Sequence, residues 1–157
     1  MDILKVNWAL IDNYCDEIVG KMGKFKPQVI VAISRGGLVP ARLIADRLDL
    51  RHVYCIGVEL YKGVEKSLAG PKIIQNIESQ VIKGKTILIM DDVSDSGTTL
   101  EFVKKHLLEK GAKEVKCATL HIKPNTKFKS DFYHSVETAW IEYPWEIYEL
   151  KRVLKKN

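Results

Sequence analysis

The sequence predicts an α/β fold: a mostly parallel, twisted sheet flanked by helices, with a small flexible hood. Three observations carry this prediction. Short, mainly apolar, β-branched runs recur at 29–33, 86–90 and 115–122, the composition of strands covered on both faces. Amphipathic stretches with cap residues lie between them. The polar segments 34–37, 91–99 and 123–125 each follow such a run, so all three would meet at the carboxyl edge of the sheet, where parallel α/β sheets bind ligands.

Taken in order, Asn7 reads as the N-cap of a helix over 8–22, with Trp8, Ile11, Cys15, Ile18, Val19 and Met22 on its buried face. Gly23 stands where a left-handed C-terminal turn belongs. A strand over 29–33 leads through Ser34, Arg35, Gly36 and Gly37 to a helix over 38–48, then to a strand over 53–60. The stretch 61–80 is polar, basic and glycine-containing, strand-like only over 72–77, and reads as a loop or flap. The strand over 86–90 ends in two carboxylates, a tight loop follows, and a helix over 98–110 carries the apolar stripe Leu100, Val103, Leu107 and Leu108 before Gly111 closes it. Strands over 115–122 and 132–136, a Trp-rich segment and a last helix complete the chain.

With 157 residues, the chain is expected to form one domain over 1–157, with a hood at about 58–80 and a terminal recognition segment at about 123–146. No apolar run approaches the ~18 residues of a spanning helix. The opening MDILKV lacks a signal peptide's apolar core, so a cytoplasmic location is expected and no membrane partner. Cys15, Cys55 and Cys117 read as small buried hydrophobes, and the four histidines show no metal-ligand spacing. Of the net charge of +5, Lys151, Arg152, Lys155 and Lys156 supply four, so the body of the chain is nearly balanced. A solvated basic terminal helix explains this better than a nucleic-acid surface, and no nucleic-acid partner is expected.

The chemistry concentrates in KTILIMDDVSDSGTTL, residues 85–100. Where a loop turns into a helix, free N–H groups and the positive end of the helix dipole point at a phosphate. Gly97 permits close backbone approach, and Ser96, Thr98 and Thr99 add hydroxyls. Alone, Thr98 or Ser96 would be an ordinary N-cap. Asp91 and Asp92 change the weighing. Adjacent carboxylates ending a buried strand are costly unless they meet a cation or hydroxyl groups, and a ribose diol with magnesium beside it supplies both.

This stretch resembles the diphosphoribosyl-binding motif of the type I phosphoribosyltransferases. SRGGLVPARLIADRLDLRHV (34–53), the Lys123-Pro124 turn and WIEYPWE (140–146) are similar to the small purine enzymes of the bacterial xanthine-guanine type. The resemblance implies a Mg2+-dependent transfer of 5-phosphoribosyl from 5-phosphoribosyl-1-diphosphate to N9 of a 6-oxopurine (hypoxanthine, guanine or xanthine), with a homodimer or homotetramer as the assembly. By the same resemblance Asp91 and Asp92 bind the ribose and Mg2+, and Asp95 is the general acid/base. Asp95, Ser96, Gly97, Thr98 and Thr99 hold the 5′-phosphate. Ser34, Arg35 and Gly36 bind pyrophosphate, with Lys62 and Lys66 as clamps from the hood. Lys123 donates to the 6-oxo group, Trp140 stacks on the ring, and backbone groups at Ile141 and Glu142 read position 2. Glu146 takes the place of an aspartate near a second Mg2+.

There are departures from the family pattern. Ser96 replaces the usual threonine but keeps the hydroxyl, and Leu60-Tyr61 stands where a Ser-Tyr pair is usual in the hood. Two alternatives stay open at this level: a nucleotide-sensing regulator of the same fold that binds nucleic acid, and an adenine-using enzyme. A magnesium-dependent phosphatase or receiver domain is disfavoured by the Ser-Gly-Thr-Thr loop.

Overall fold

The computed structural model describes residues 1–62 and 69–156. The chain enters on a three-residue strand, β1 (Ile3–Lys5). Asn7 then caps helix α1 (Trp8–Lys21), its side-chain oxygen accepting from the Leu10 N–H at 2.9 Å. Gly23, at φ 55°, turns the chain out of α1 in the left-handed region, as predicted. Next come β2 (Val29–Ser34), α2 (Leu38–Arg47), β3 (Val53–Lys62) and β4 (Ala69–Gln75). A 3-10 turn at Ser79–Val81 leads to β5 (Thr86–Ser94) and α3 (Thr98–Glu109). The remainder is β6 (Glu114–Ile122), β7 (Phe132–Val136), β8 (Trp140–Glu142) and α4 (Ile147–Lys155).

Six strands make one sheet in the order β4-β3-β2-β5-β6-β7, parallel throughout except for β3 against β4. Alternate residues of each inner strand serve opposite cores. Ile30, Ala32, Leu88 and Met90 pack with Ile11, Cys15 and Ile18 of α1 and with Ala41 and Ile44 of α2. Val31, Ile33, Ile87 and Ile89 pack with Leu100, Val103 and Leu107 of α3. Each such aliphatic side chain contributes about 1.5–3 kcal/mol on burial, so the centre of the sheet is the stiffest part of the molecule. From β2 the chain winds outward through α2 to β3, then returns to place β5 on the other side of β2. The carboxyl ends of β2 and β5 thus flank the switch point, where a crevice opens.

Several expectations are corrected here. The hood is a β-hairpin in its described part, not a loop: β3 runs on to Lys62 and pairs with 69–75, from Lys62 opposite Ala69 to Gly57 opposite Gln75. Val58 and Ile73, partners across it, pack on the core, but the exposed run Glu59, Leu60, Tyr61 and Lys62 leaves no apolar alternation to detect. β5 continues four residues beyond Met90, because Asp91, Val93 and Ser94 still pair with Thr119, His121 and Ile122 of β6. Trp8 and Leu108 are exposed, not buried. Cys15 and Cys117 are buried, Cys55 only half so. β1 pairs in parallel with β8, Ile3 against Trp140, forming a second sheet too short for its period to be read in advance.

One buried polar group makes a stability prediction. His121 is fully buried, and burial first, then the neighbouring His134, lowers its pKa to about 4. The unfolded chain takes up that proton near the ordinary value of 6.5, so the unfolded state binds more protons between the two values. The share of stability that rests on neutral His121 is therefore complete above pH ~6.5 and falls by about 3 kcal/mol as the pH drops to ~4. Urea unfolding at stepped pH should show this slope in the wild type and lose that share of it in His121→Asn. Identical slopes would remove His121 from acid sensitivity.

Candidate functional site

Three loops at the carboxyl edge build the site, and glycine controls how closely they meet. Where β2 ends, the Ser34–Arg35 peptide is cis, and Gly36 and Gly37 carry the chain into α2. A Cβ on Gly36 would lie 2.5 Å from the Asp92 carboxylate. One on Gly37 would lie 2.1 Å from the Met90 carbonyl oxygen. The loop after β2 thus lies directly against the acidic pair of β5, and at Gly37, where the obstacle is main chain, no other residue type fits.

Asp91 is half-buried and Asp92 buried. The Asp91 carboxylate accepts from the Asp92 N–H at 2.9 Å, and the Asp92 carboxylate from the Val93 N–H at 2.7 Å. Burial pushes both pKa values up, Asp91 furthest because the Asp92 charge adds to it, while the Val93 N–H works against the rise at Asp92. Glu146 joins them: burial, then the charges of Asp92 and Glu149, raise it to about 7. A carboxylate pair under this tension favours a cation or a diol beside it. Among the described residues no three acidic, histidine or cysteine side chains form a ready cage for a metal. Asp91, Asp92 and Glu146 are therefore not a complete protein site. Magnesium ordinarily uses one or two carboxylates and completes its shell with phosphate oxygens and water, and Asp91 with Asp92 fit that pattern.

The second loop, 95–99, opens α3. Gly97 has φ 84°, and a Cβ there would meet the backbone nitrogen of Phe128 at 2.7 Å. Ser96 Oγ donates to Thr98 Oγ1 at 3.0 Å and accepts from the Thr98 N–H at 3.3 Å. Asp95, Ser96 and Thr98 are exposed, Thr99 is half-buried, and α3 brings its unpaired N–H groups to the same place. A shelf of residues after β6 backs the loop: the Lys123 and Lys127 N–H groups donate to the Ser94 and Ser96 carbonyls at 2.8 and 3.0 Å. Thr126 and Phe128 in this shelf escaped the sequence reading, because contacts 30 residues apart leave no local signal.

The segment expected to recognise the base stands apart from the acidic pair. Trp140, Ile141 and Glu142 form β8, held in place by β1. They line a narrow recess that shares Glu146 and Glu149 with the main cleft. The Lys123 ammonium donates to the Ala139 carbonyl, tying this segment to the shelf behind the 95–99 loop. An ammonium has three N–H bonds, so donors remain for a ligand.

The main cleft, ≈ 810 Å³, lies over the ends of β2 and β5. It brings together Ser34, Arg35, Gly36, Asp91, Asp92, Thr99 and Glu146. Asp95, Ser96, Gly97, Thr98 and Lys123 stand outside its lining. So does Lys62, exposed at the end of β3, where Glu59 and Leu60 line the cleft instead. Lys66 lies outside the described residues. The terminal helix is more than a solvated basic element. Leu150 anchors α4 in the core, and Tyr148, Glu149 and Arg152 line the cleft, with Arg35 and Glu149 paired at 3.5 Å. These residues were missed. The only available signal was the three-residue spacing of Glu146, Glu149 and Arg152, which puts them on one helix face.

Comparison with known proteins yields consistent neighbours. The family model of the phosphoribosyl transferase domain matches residues 6–151. A xanthine-guanine phosphoribosyltransferase from Nitratidesulfovibrio vulgaris is 34% identical over 147 residues, covering 92% of this chain and 78% of its own. The crystal structure of a purine phosphoribosyltransferase from Pyrococcus horikoshii superposes with TM-score 0.82 at 36% identity, covering 92% of this chain and 94% of that one. A hypothetical protein from Neisseria gonorrhoeae with bound ppGpp superposes with TM-score 0.83 at 27% identity, covering 99% and 98%.

Proposed function

The chain belongs to the phosphoribosyltransferase family, and from that premise we propose that it is a purine-salvage enzyme joining a 6-oxopurine to 5-phosphoribosyl-1-diphosphate. The observation that carries this reading is the convergence of the loop after β2 with the Asp91–Asp92 pair at the switch point of the sheet. The xanthine-guanine relatives and the guanine nucleotide on the Neisseria structure support a 6-oxopurine as acceptor.

In the proposed reaction the N9–C1′ bond forms, the bond from C1′ to the pyrophosphate oxygen breaks with its electron pair leaving on pyrophosphate, and the base loses one proton. Most of the catalysis is positioning and charge stabilisation. Asp91 and Asp92 hold the ribose hydroxyls, and with Glu146 nearby they are the residues to hold Mg2+, which when bound supplies positive charge near the leaving group. Ser34, Arg35 and Gly36 receive the pyrophosphate, Arg35 exchanging its exposed pair with Glu149 for a phosphate oxygen. Ser96, Gly97, Thr98 and Thr99 hold the 5′-phosphate. Asp95 offsets the positive charge that grows on the ribose and takes the proton at N7. Lys123 donates to the 6-oxo group, Trp140 with its exposed face stacks on the ring, and Ile141 and Glu142 read position 2. Glu59 and Leu60 place the hood hairpin at the cleft, where closure would exclude water from the activated sugar.

The whole chain acts in this reading as a single domain, in the cytoplasm, as a homodimer or homotetramer. No helix among the described residues is long and apolar enough to cross a membrane.

The test is pyrophosphate release from 5-phosphoribosyl-1-diphosphate with Mg2+ and adenine, hypoxanthine, guanine or xanthine in parallel. Release is expected with 6-oxopurines and not with adenine, whose amino group would face the Lys123 donor. Turnover of adenine alone overthrows the Lys123 assignment. No release with any base, beside salt-steep nucleic-acid binding, supports the regulator instead.

A further inference from the structure

Next to the acidic pair, a stacked pair of aromatic side chains meets the end of β5. Tyr143 is 1% exposed, and its hydroxyl donates to the Asp92 carbonyl at 3.1 Å. The same hydroxyl lies 2.8 Å from His121 Nδ1. Its one proton is committed to Asp92, so the histidine nitrogen is the donor in that bond. The Tyr143 ring stacks face to face on Trp145, with centroids 4.9 Å apart and planes 6° from parallel. The Trp145 indole N–H is buried and has no hydrogen-bond partner. Trp145 lines the cleft together with Asp92. A buried N–H without an acceptor is rare in folded proteins, and this one belongs to a side chain that shares the cleft lining with Asp92. Pairing between β2 and β5 ends at Met90 opposite Ala32, two residues before Asp92. Beyond that point Tyr143 acts on Asp92 in place of a neighbouring strand.

We infer that Tyr143 and Trp145 are positioning residues for Asp92: stacked together, they hold its backbone and its carboxylate, and thereby set the affinity of the site for 5-phosphoribosyl-1-diphosphate. This role presupposes the transferase reading above. The two residues divide the task. Tyr143 fixes where the strand end lies, through a hydroxyl shared with His121 on β6. Trp145 offers a donor that closes onto the Asp92 carboxylate when that group turns to the sugar. Neither is expected to touch the purine, so the acceptor base should not feel their loss.

The test compares the wild type with Tyr143→Phe and Trp145→Phe, both of which keep a ring in the stack. Titration calorimetry with 5-phosphoribosyl-1-diphosphate in excess Mg2+ is expected to give a dissociation constant raised about tenfold in each variant, the loss of one hydrogen bond to a charged or buried group. The Michaelis constant for the purine should stay within about twofold, since no hydrogen bond to the base is removed. Thermal melting separates this from a packing effect. Tyr143→Phe leaves the Asp92 carbonyl and the His121 N–H unpaired and should melt lower. Trp145→Phe removes a donor that pairs with nothing and should melt closer to the wild type while still losing affinity. Lower melting temperatures with unchanged affinity in both variants overturn the inference alone. A wild-type chain that does not bind 5-phosphoribosyl-1-diphosphate overturns the transferase reading and this role with it.

Discussion

Asp95→Asn is expected to lower the turnover number by two to four orders of magnitude, the usual range for loss of a positioned general acid/base. Binding of the purine 5′-monophosphate product should be largely retained. The reason lies in how the loop divides its work. Ser96 and Thr98 bond each other and shape the start of α3, and Gly97 is pressed onto the shelf at Phe128. Asp95 takes part in none of these hydrogen bonds and stands exposed at the mouth of the loop, directly after the buried Ser94. Asparagine keeps its size, so the loop should hold its shape while losing the carboxylate proposed to balance the ribose charge and accept the proton. Single-turnover rates with product-binding titrations check this. An Asp95→Asn enzyme with wild-type turnover would remove Asp95 from the chemistry, whereas parallel loss of product binding would make it a phosphate-loop residue.

The layered sheet was legible because its inner strands are buried on both faces. Runs such as 29–33 and 86–90 can be little else, and Asn7 and Gly23 punctuate α1 by mechanisms that act within a few residues. The acidic pair and the Ser34–Gly36 loop were legible for a related reason: their chemistry depends on residue type and order along a short stretch. What escaped depends on distance in space. β1 and β8 are three residues each and exist only because they find each other. The hood hairpin packs Val58 and Ile73 on the core but leaves Leu60 and Ile74 exposed, so its apolar residues do not mark a buried face. Glu149 and Arg152 reach the cleft because Leu150 anchors their helix, and a +4 charge excess near the terminus masked that single apolar anchor. Nothing along the sequence sets Tyr143 and Trp145 apart, and their place next to Asp92 needed the fold.

Adjacent glycines in the loop after β2 should respond to the same substitution in opposite ways. Gly37→Ala places a Cβ 2.1 Å from the Met90 carbonyl oxygen and 2.8 Å from that of Ile33, both main-chain atoms of the central strands. Those strands are the best-buried part of the molecule and cannot yield, so the strain has to be taken by the sheet or by the start of α2. A destabilisation of about 3 kcal/mol is expected, lowering the melting temperature by about 10 °C. Gly36→Ala instead puts its Cβ 2.5 Å from the Asp92 carboxylate, the movable end of a side chain. That group can rotate away, so stability should change little. Turning it away, however, takes from the site the carboxylate proposed to meet the ribose, and affinity for 5-phosphoribosyl-1-diphosphate should fall about tenfold or more. Melting curves and ligand titrations on the two variants separate the roles: Gly37 holds the loop to the sheet, and Gly36 leaves room for Asp92. If Gly36→Ala melted far below the wild type while Gly37→Ala did not, this division between backbone and side-chain contact would be wrong.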